Sequence, residues 1–186
     1  MSEIDKARAL FHTDGGITIT GGEPTVQFNN LKKLLIEIKK LNIHTVMETN
    51  GTHARLPELF NFLDIIIIDL KHHDSSVQKR KIGLGNEITM LNIQKAAESD
   101  RNIWIRIPLI PDFNDGYDNI KRIIEIIEKI NRKNVSVELL QYHEYGKIKW
   151  EQVGMPYKMN EKKINAGDFD RYKSMFKESN INIINT

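Results

Sequence analysis

The chain has 186 residues, a length that fits one domain, and its 27 Lys and Arg against 25 Asp and Glu give a net charge of +2. That charge is too small to indicate a nucleic-acid binder, and no apolar run approaches the roughly 20 residues of a membrane span. The charged segment Met1 to Leu10 lacks the apolar core of a signal peptide, so we expect a cytoplasmic protein. Cysteine is absent, which excludes disulfides, thiolate nucleophiles and Cys-ligated metal sites within this chain.

Short β-branched runs alternate with amphipathic stretches along the sequence. The predicted strands are Ile17–Thr20, Ile43–Met47, Ile65–Ile68, Ile103–Pro108, Val135–Leu140 and Ile181–Ile184. The predicted helices are Asn30–Leu41, Pro57–Phe62, Glu87–Ser99, Tyr117–Arg132 and Asp168–Glu178. Loops are predicted at Lys71–Ser76 and Gln141–Tyr157. We expect Trp104 in the core and the adjacent His72 and His73 at the surface.

The strict alternation of strand and helix predicts an α/β fold with a mainly parallel sheet, either doubly wound or curved into a barrel. A parallel barrel usually opens with a strand, whereas only a partial helix precedes the first strand here. We therefore expect a partial, open (β/α) barrel that lacks its first βα unit, in one domain spanning residues 1–186. The free edge of Ile17–Thr20 predicts either self-association or packing of the N-terminal residues against it.

Polar groups follow the first, second, third and fifth predicted strands, and one lies late in the fourth. They are Gly21, Gly22 and Glu23; Glu48, Thr49 and Asn50; Asp69 and Lys71; Arg106; and Gln141 to Glu144. Because ligands bind at the carboxyl ends of parallel strands, five such groups on one rim predict a ligand pocket. Each motif alone is also compatible with a structural role, such as a tight turn at Gly21–Pro24 or an ion pair between Asp69 and Lys71.

In order along the chain, these motifs resemble those of radical S-adenosylmethionine (SAM) enzymes. They are most similar to the activating enzymes of glycyl-radical enzymes, the pyruvate formate-lyase type included. The segments that carry the resemblance are Gly15–Pro24, Glu48–Gly51, Ile68–Lys71, Gly83–Asn92, Trp104–Arg106, Pro108–Asn114 and Glu138–Trp150. The last segment is the most specific, and the similarity extends from about Gly15 to the end of the chain.

The resemblance implies a SAM pocket at the rim. It assigns Gly21, Gly22 and Glu23 to the amino group of SAM, and Lys71 and His143 to its carboxylate. These pairings are chemically consistent, because a carboxylate accepts hydrogen bonds from an ammonium group while Lys and a donor His pair with a carboxylate.

The same resemblance implies further contacts. Glu48, Thr49 and Asp69 would lie near the ribose, or around a monovalent cation beside SAM. Arg106 would line the cavity where a glycine loop of the partner enters. The implied partner is a glycyl-radical enzyme such as pyruvate formate-lyase, and neither nucleic acid nor membrane is expected as a partner.

The family's reaction uses a 4Fe-4S cluster, held by Cys-x-x-x-Cys-x-x-Cys, to cleave SAM to the radical that takes a hydrogen atom from the partner's glycine. This chain has no cysteine, and its six histidines are dispersed. We therefore expect a fragment of an activase, inactive alone and weak in SAM binding. Two alternatives are a non-catalytic module that binds a glycyl-radical enzyme, and an unrelated α/β barrel hydrolase or isomerase with Glu23, Asp69 and His143 as acid–base groups.

Overall fold

Six parallel strands in chain order form the sheet of this protein. The computed structural model describes residues 2–7, 11, 15–130, 133–157 and 162–184. The strands are β1 (Gly16–Ile19), β2 (His44–Thr49), β3 (Ile65–Asp69), β4 (Asn102–Leu109), β5 (Val135–Gln141) and β6 (Ile183–Ile184). Each strand pairs in parallel with the next, in the order β1-β2-β3-β4-β5-β6. The predicted α/β class with a parallel sheet is confirmed.

Helices occupy the connections between the strands. They are α1 (Ser2–Ala7), α2 (Phe28–Lys40), α3 (Ser75–Ile82), α4 (Glu87–Ala97), α5 (Tyr117–Lys129), α6 (Lys147–Gln152) and α7 (Ala166–Glu178), with 3-10 turns at Pro24–Gln27 and Leu56–Phe62. In the part of the chain that the structure describes, no helix is both long and apolar enough to cross a membrane.

Two helices were not predicted: α3 begins in the last two residues of the predicted loop Lys71–Ser76, and α6 lies inside a second predicted loop. Helix α3 begins at Ser75 because the Asp74 side chain accepts a hydrogen bond from the Val77 amide (3.0 Å), and it ends where Gly83 takes a φ of 90°. Helix α6 lies inside the predicted loop Gln141–Tyr157 and has no buried residue. Both helices lack the apolar stripe on which the prediction depended.

Helix α5 ends at Lys129, because Ile130 adopts extended backbone angles. The last two residues of the predicted helix Tyr117–Arg132 lie outside the described residues. The final strand is Ile183–Ile184, two residues shorter than predicted.

The two faces of the sheet have different surroundings. On β4, Ile103, Ile105, Ile107 and Leu109 are fully buried, and they belong to one apolar core with side chains from helices α2, α4, α5 and α7. Trp104 alternates with these residues, so it projects from the opposite face and is only partly buried, contrary to its predicted core position. That opposite face also carries the charged residues of β2, β4 and β5.

The loops at the carboxyl ends of the strands are held by buried asparagine side chains. Asn114 donates to the carbonyls of Lys71 (2.6 Å) and Pro108 (2.7 Å) and accepts from the Ile110 amide (2.6 Å). The other buried asparagines of this kind are Asn86, Asn92 and Asn119. Asn86 donates to the carbonyls of His72 and His73, Asn92 ties helix α4 to the carbonyls of Gly51 and His53, and Asn119 ties helix α5 to His73 and Asn114. These hydrogen bonds hold the loops at the rim of the sheet.

His72 is buried rather than exposed, which corrects the sequence-based expectation. Only 6% of the residue is exposed, and its ring stacks on His73 (4.7 Å between centroids) and Phe113 (5.6 Å). Its Nδ1 accepts a hydrogen bond from the Asp74 amide (2.9 Å), which requires an unprotonated nitrogen. Burial, together with the nearby His73, lowers the pKa of His72 below its ordinary value.

This lowered pKa predicts a loss of stability in mild acid. The unfolded chain binds the His72 proton first, so the stabilisation is complete above the unfolded pKa of about 6.5 and is lost as pH falls toward the folded pKa. His72→Gln removes the titrating group, and the midpoint of urea unfolding then falls less between pH 7.5 and pH 5.5. The exposed His44→Gln variant serves as control and keeps the wild-type dependence. Parallel curves for His72→Gln and wild type would contradict the assignment.

Candidate functional site

A polar pocket of about 280 Å³ lies at the carboxyl ends of β1 to β4. Its lining residues are Thr20, Gly21, Gly22, Glu23, Glu48, Thr49, Asn50, Asp69, Lys71 and Arg106. The structure therefore brings together eight of the nine predicted site residues, all except His143. Three carboxylates and two cations line this pocket, so its formal charge is negative.

Glu23 ties the loop after β1 to the end of β2. Its Oε1 accepts hydrogen bonds from the Thr25 amide (3.1 Å), the Thr25 hydroxyl (2.5 Å) and the Thr49 hydroxyl (2.8 Å). Its Oε2 accepts one from the Asn50 amide (2.8 Å). Four donors thus hold the carboxylate, which caps the 3-10 turn at Pro24 and still borders the pocket.

Two glycines in the loops at this end of the sheet, Gly21 in the pocket wall and Gly51 beside it, have backbone angles that other residues rarely adopt. Gly21 has a φ of 149°, and a Cβ added there would meet nothing within 4 Å, so its backbone faces open space. Gly51, in the turn after β2, has a φ of 70°, and a Cβ there would lie 2.7 Å from Ile68 Cγ2. The turn after β2 therefore favours glycine at position 51.

Arg106 connects two carboxylates, Glu48 and Glu138, on the face of the sheet opposite the apolar core. Its Nη1 lies 3.1 Å from Glu48 Oε2, and its Nη2 donates to Glu48 Oε1 at 3.1 Å. Its Nε donates to Glu138 Oε2 at 2.5 Å. The hydrogen bond from Arg106 lowers the pKa of Glu48 despite partial burial. Burial by itself lowers the pKa of Arg106, but its bonds to Glu48 and Glu138 outweigh burial and raise it.

Asp69 and Lys71 form an ion pair beside this network. Lys71 Nζ lies 2.8 Å from Asp69 Oδ2, and about a quarter of each side chain is exposed. The structural role weighed from the sequence is therefore present. An ammonium group has three donors, so this bond leaves Lys71 able to contact a ligand in the pocket as well.

His143 follows β5 but does not line the pocket. Its ring is exposed and stacks on Tyr145 (4.3 Å between centroids), and its Nδ1 accepts from the Tyr145 amide at 3.4 Å. The contact between His143 and the carboxylate of a bound ligand, which the family resemblance implies, therefore stays a prediction.

Sequence reasoning left out Thr20 and Glu138, and it placed Asn50 on the rim without giving it a role. Thr20 donates to Glu48 Oε2 (3.1 Å), and Asn50 supplies the amide that binds Glu23. Glu138 is the register partner of Arg106 on the neighbouring strand. An acidic residue inside the apolar run Val135–Leu140 was the signal that could have identified Glu138, because opposite charges pair across adjacent strands.

Comparisons with known proteins agree with this geometry. A family model described as the radical SAM superfamily matches residues 2–126. The 4-hydroxyphenylacetate decarboxylase activating enzyme of Clostridioides difficile (strain 630) is 34% identical over 92% of this chain and 55% of that protein. The pyruvate formate-lyase-activating enzyme of Staphylococcus aureus (strain USA300) is 30% identical over 89% of this chain and 68% of that protein.

The chain belongs to the radical SAM superfamily, in the family of glycyl-radical-enzyme activating enzymes. A crystal structure of a domain of pyruvate-formate lyase-activating enzyme from Bacteroides vulgatus matches this activase-family chain with a TM-score of 0.75 at 26% identity, over 91% of this chain and 97% of that domain. This match supports the expected partial open barrel and leaves the unrelated hydrolase or isomerase without support. The chain spans about half the length of the C. difficile relatives it matches.

The residues present in this activase-family chain fit SAM but not an iron–sulfur cluster. SAM carries a sulfonium and an ammonium group against one carboxylate, so its net positive charge complements the negative pocket, and the open space beside Gly21 and Gly22 admits a ligand. The sequence has no cysteine. In the described ranges, no three His, Asp or Glu residues gather as a metal site either. This chain therefore supplies no ligand set for the cluster.

The Glu23 contacts predict that Glu23→Gln destabilises the protein. Both carboxylate oxygens of Glu23 accept hydrogen bonds. Whichever way the amide of the glutamine is oriented, its NH₂ group therefore faces at least one N–H or O–H donor and loses that hydrogen bond. We expect a loss of about 2 kcal/mol in the free energy of unfolding, measured by urea denaturation. Glu37→Gln, at an exposed helical position, is the control and changes stability by less than about 0.5 kcal/mol. Equal effects for the two variants would show that the Glu23 network does not hold the loop.

Proposed function

We propose that this chain is the SAM-binding part of an activase for a glycyl-radical enzyme. The observation that carries the proposal is the negative pocket at the strand ends, built from the side chains that the family motifs contain. Gly21, Gly22 and Glu23 would receive the amino group of SAM, and Lys71 its carboxylate. Rigid strand ends suit this task, because productive radical chemistry needs fixed distances.

The ribose end of SAM would lie against Glu48, Thr49 and Asp69, or these residues would surround a monovalent cation beside it. We place His143 near the SAM carboxylate by resemblance alone. Arg106 would form the wall toward the partner's glycine loop, and its contacts with Glu48 and Glu138 hold it in that place.

We further propose that the partner is a glycyl-radical enzyme such as pyruvate formate-lyase, and that the protein works in the cytoplasm. The relatives are named for two different targets, 4-hydroxyphenylacetate decarboxylase and pyruvate formate-lyase, so family membership supports the class of partner rather than one enzyme. Because the sequence has no cysteine, this chain alone would generate no radical.

Substitution of Gly22 tests the SAM pocket directly. A Cβ at Gly22 would meet nothing within 4 Å, so the leucine side chain of Gly22→Leu starts in open space at the pocket wall and occupies room that a ligand would need. We expect wild type to bind SAM weakly, with a dissociation constant of about 1 mM, and the variant to bind at least about tenfold more weakly at unchanged stability. Ligand-observed saturation-transfer NMR measures both values.

Gly116→Leu is the matched control, because its added Cβ also meets nothing within 4 Å and Gly116 does not line the pocket. Wild-type SAM binding by Gly116→Leu is expected. Equal SAM binding by wild type and Gly22→Leu would contradict the location of the site, and no SAM binding by wild type would remove the proposed function.

We also propose self-association through the β1 edge. In the described sheet β1 pairs only with β2, so one side of Gly16–Ile19 presents backbone groups that another strand can bind. Thr18→Pro removes one amide donor from this edge strand, and we expect it to reduce the dimer fraction in sedimentation velocity. A wild-type chain that stays monomeric at 100 μM (about 2 mg/mL by the 21.6 kDa mass) would contradict self-association.

A further inference from the structure

Glu138 is an acidic side chain in an unusual place. It is 1% exposed, and among the residues that the structure describes it is the only buried acid. It does not line the pocket. Removing a carboxylate from water costs several kcal/mol, and even a paired buried charge is weak evidence for stability. The burial of Glu138 therefore points to a role other than packing.

The contacts of Glu138 lead toward the pocket through Arg106. Both residues lie in register on β4 and β5, and the Nε of Arg106 donates to Glu138 Oε2 at 2.5 Å. With Nε fixed in this way, the planar guanidinium turns both Nη atoms toward Glu48, each at 3.1 Å from one of its oxygens. Glu138, Arg106 and Glu48 thus form a chain along one face of the sheet, from the buried Glu138 to the pocket.

Glu48 is the member of this chain that a ligand can reach. Its Oε1 accepts a hydrogen bond from Arg106 Nη2 and its Oε2 accepts one from the Thr20 hydroxyl, while Arg106 Nη1 lies 3.1 Å from Oε2 as an ion-pair contact. A carboxylate offers about four lone-pair positions, so Glu48, which lines the pocket, can still accept a hydrogen bond from a ligand. Its Arg106 partner is in turn bound to Glu138 through Nε.

We propose that Glu138 is a positioning residue for nucleoside recognition: by fixing Arg106, it orients the Glu48 carboxylate to accept a hydrogen bond from a ribose hydroxyl. The proposal deepens the proposed function and rests on it. It also assigns Arg106 a task within the SAM pocket, in addition to the partner-facing one that the family resemblance implies.

Nucleoside discrimination by wild type and three variants tests this role. The probes are 5′-deoxyadenosine and 2′,5′-dideoxyadenosine, which differ by one ribose hydroxyl, and saturation-transfer NMR measures their affinities. We expect wild type to prefer the first by about tenfold, the effect of one hydrogen bond to a charged group. Glu48→Gln and Glu138→Gln each reduce this preference to nearly one. The double variant reduces it no further, because both changes interrupt the same chain.

A purely structural role for Glu138 gives different results. Glu138→Gln would then lower the unfolding midpoint while the preference for 5′-deoxyadenosine stays at the wild-type value, which would overturn the proposal. Additive losses in the double variant would overturn it as well. The exposed Glu128→Gln variant is the control and keeps the full preference. If Glu138→Gln does not fold, Arg106→Met with Glu138→Met replaces the buried pair by apolar side chains, and we expect the same loss of preference.

A second readout needs no ligand and separates this proposal from the proposed function. In wild type, NMR of the arginine side chain should show slow rotation about the Nε–Cζ bond of Arg106. Both Nη groups contact Glu48, which slows this rotation in wild type. We expect faster rotation in Glu138→Gln, because without the Nε bond the guanidinium is no longer aligned with both oxygens of Glu48. Fast rotation in wild type, or slow rotation in Glu138→Gln, would overturn the positioning role. If wild type binds neither nucleoside while rotation behaves as expected, the SAM pocket fails and the positioning of Glu48 stands.

Discussion

The pocket depends on one constraint, the parallel alignment of neighbouring strands. Because every strand runs in the same direction, the loops after β1, β2, β3 and β4 all leave the sheet on the same side. Groups far apart in sequence therefore meet: Thr20 and Glu48 form a hydrogen bond across 28 positions, and Glu48 and Arg106 across 58. A slip of one residue in the β3–β4 or β4–β5 register would turn Arg106 away from its carboxylates.

The strands were predictable because their pattern is simple. Ile103, Ile105 and Ile107 alternate with partly exposed residues. This period of two belongs to the extended backbone itself, so it can be recognised without knowing what packs against the strand. Eight of the predicted site residues meet because the carboxyl ends of neighbouring parallel strands share one rim, whereas His143, which follows β5, lies outside the pocket. Helix α3 was missed because its signal is the cap at Asp74 and Gly83 rather than an apolar stripe.

Other features depend on contacts that one-dimensional patterns do not contain. The burial of His72 comes from the Phe113 ring, 41 positions later in the chain, and from the asparagines that hold the rim loops. Trp104 has a large apolar side chain of the kind found in cores, yet the alternation on β4 places it on the face opposite the apolar core. Glu138 looked like part of a motif, and only the register of β4 with β5 shows that it holds Arg106.

The net negative charge of the pocket suits a cationic ligand. The chain has no cysteine, and cysteines are the cluster ligands on which the family's reaction depends. Acidic groups outnumber basic ones around the pocket, and the side chains there are held by one another rather than by solvent. The proposed task of this chain, to bind and orient SAM, uses the residues that it has, whereas a 4Fe-4S cluster needs cysteines that its sequence does not contain.

A titration of the ¹⁵N-labelled chain with SAM, followed by amide chemical shifts, tests the central claim most directly. If SAM binds at the strand ends, the largest changes occur at Gly21, Gly22 and Asn50, which border the pocket. Changes confined to the groove between α4 and α5, at Gln94 and Ile126 for example, would contradict that location, as would the absence of any change at millimolar SAM.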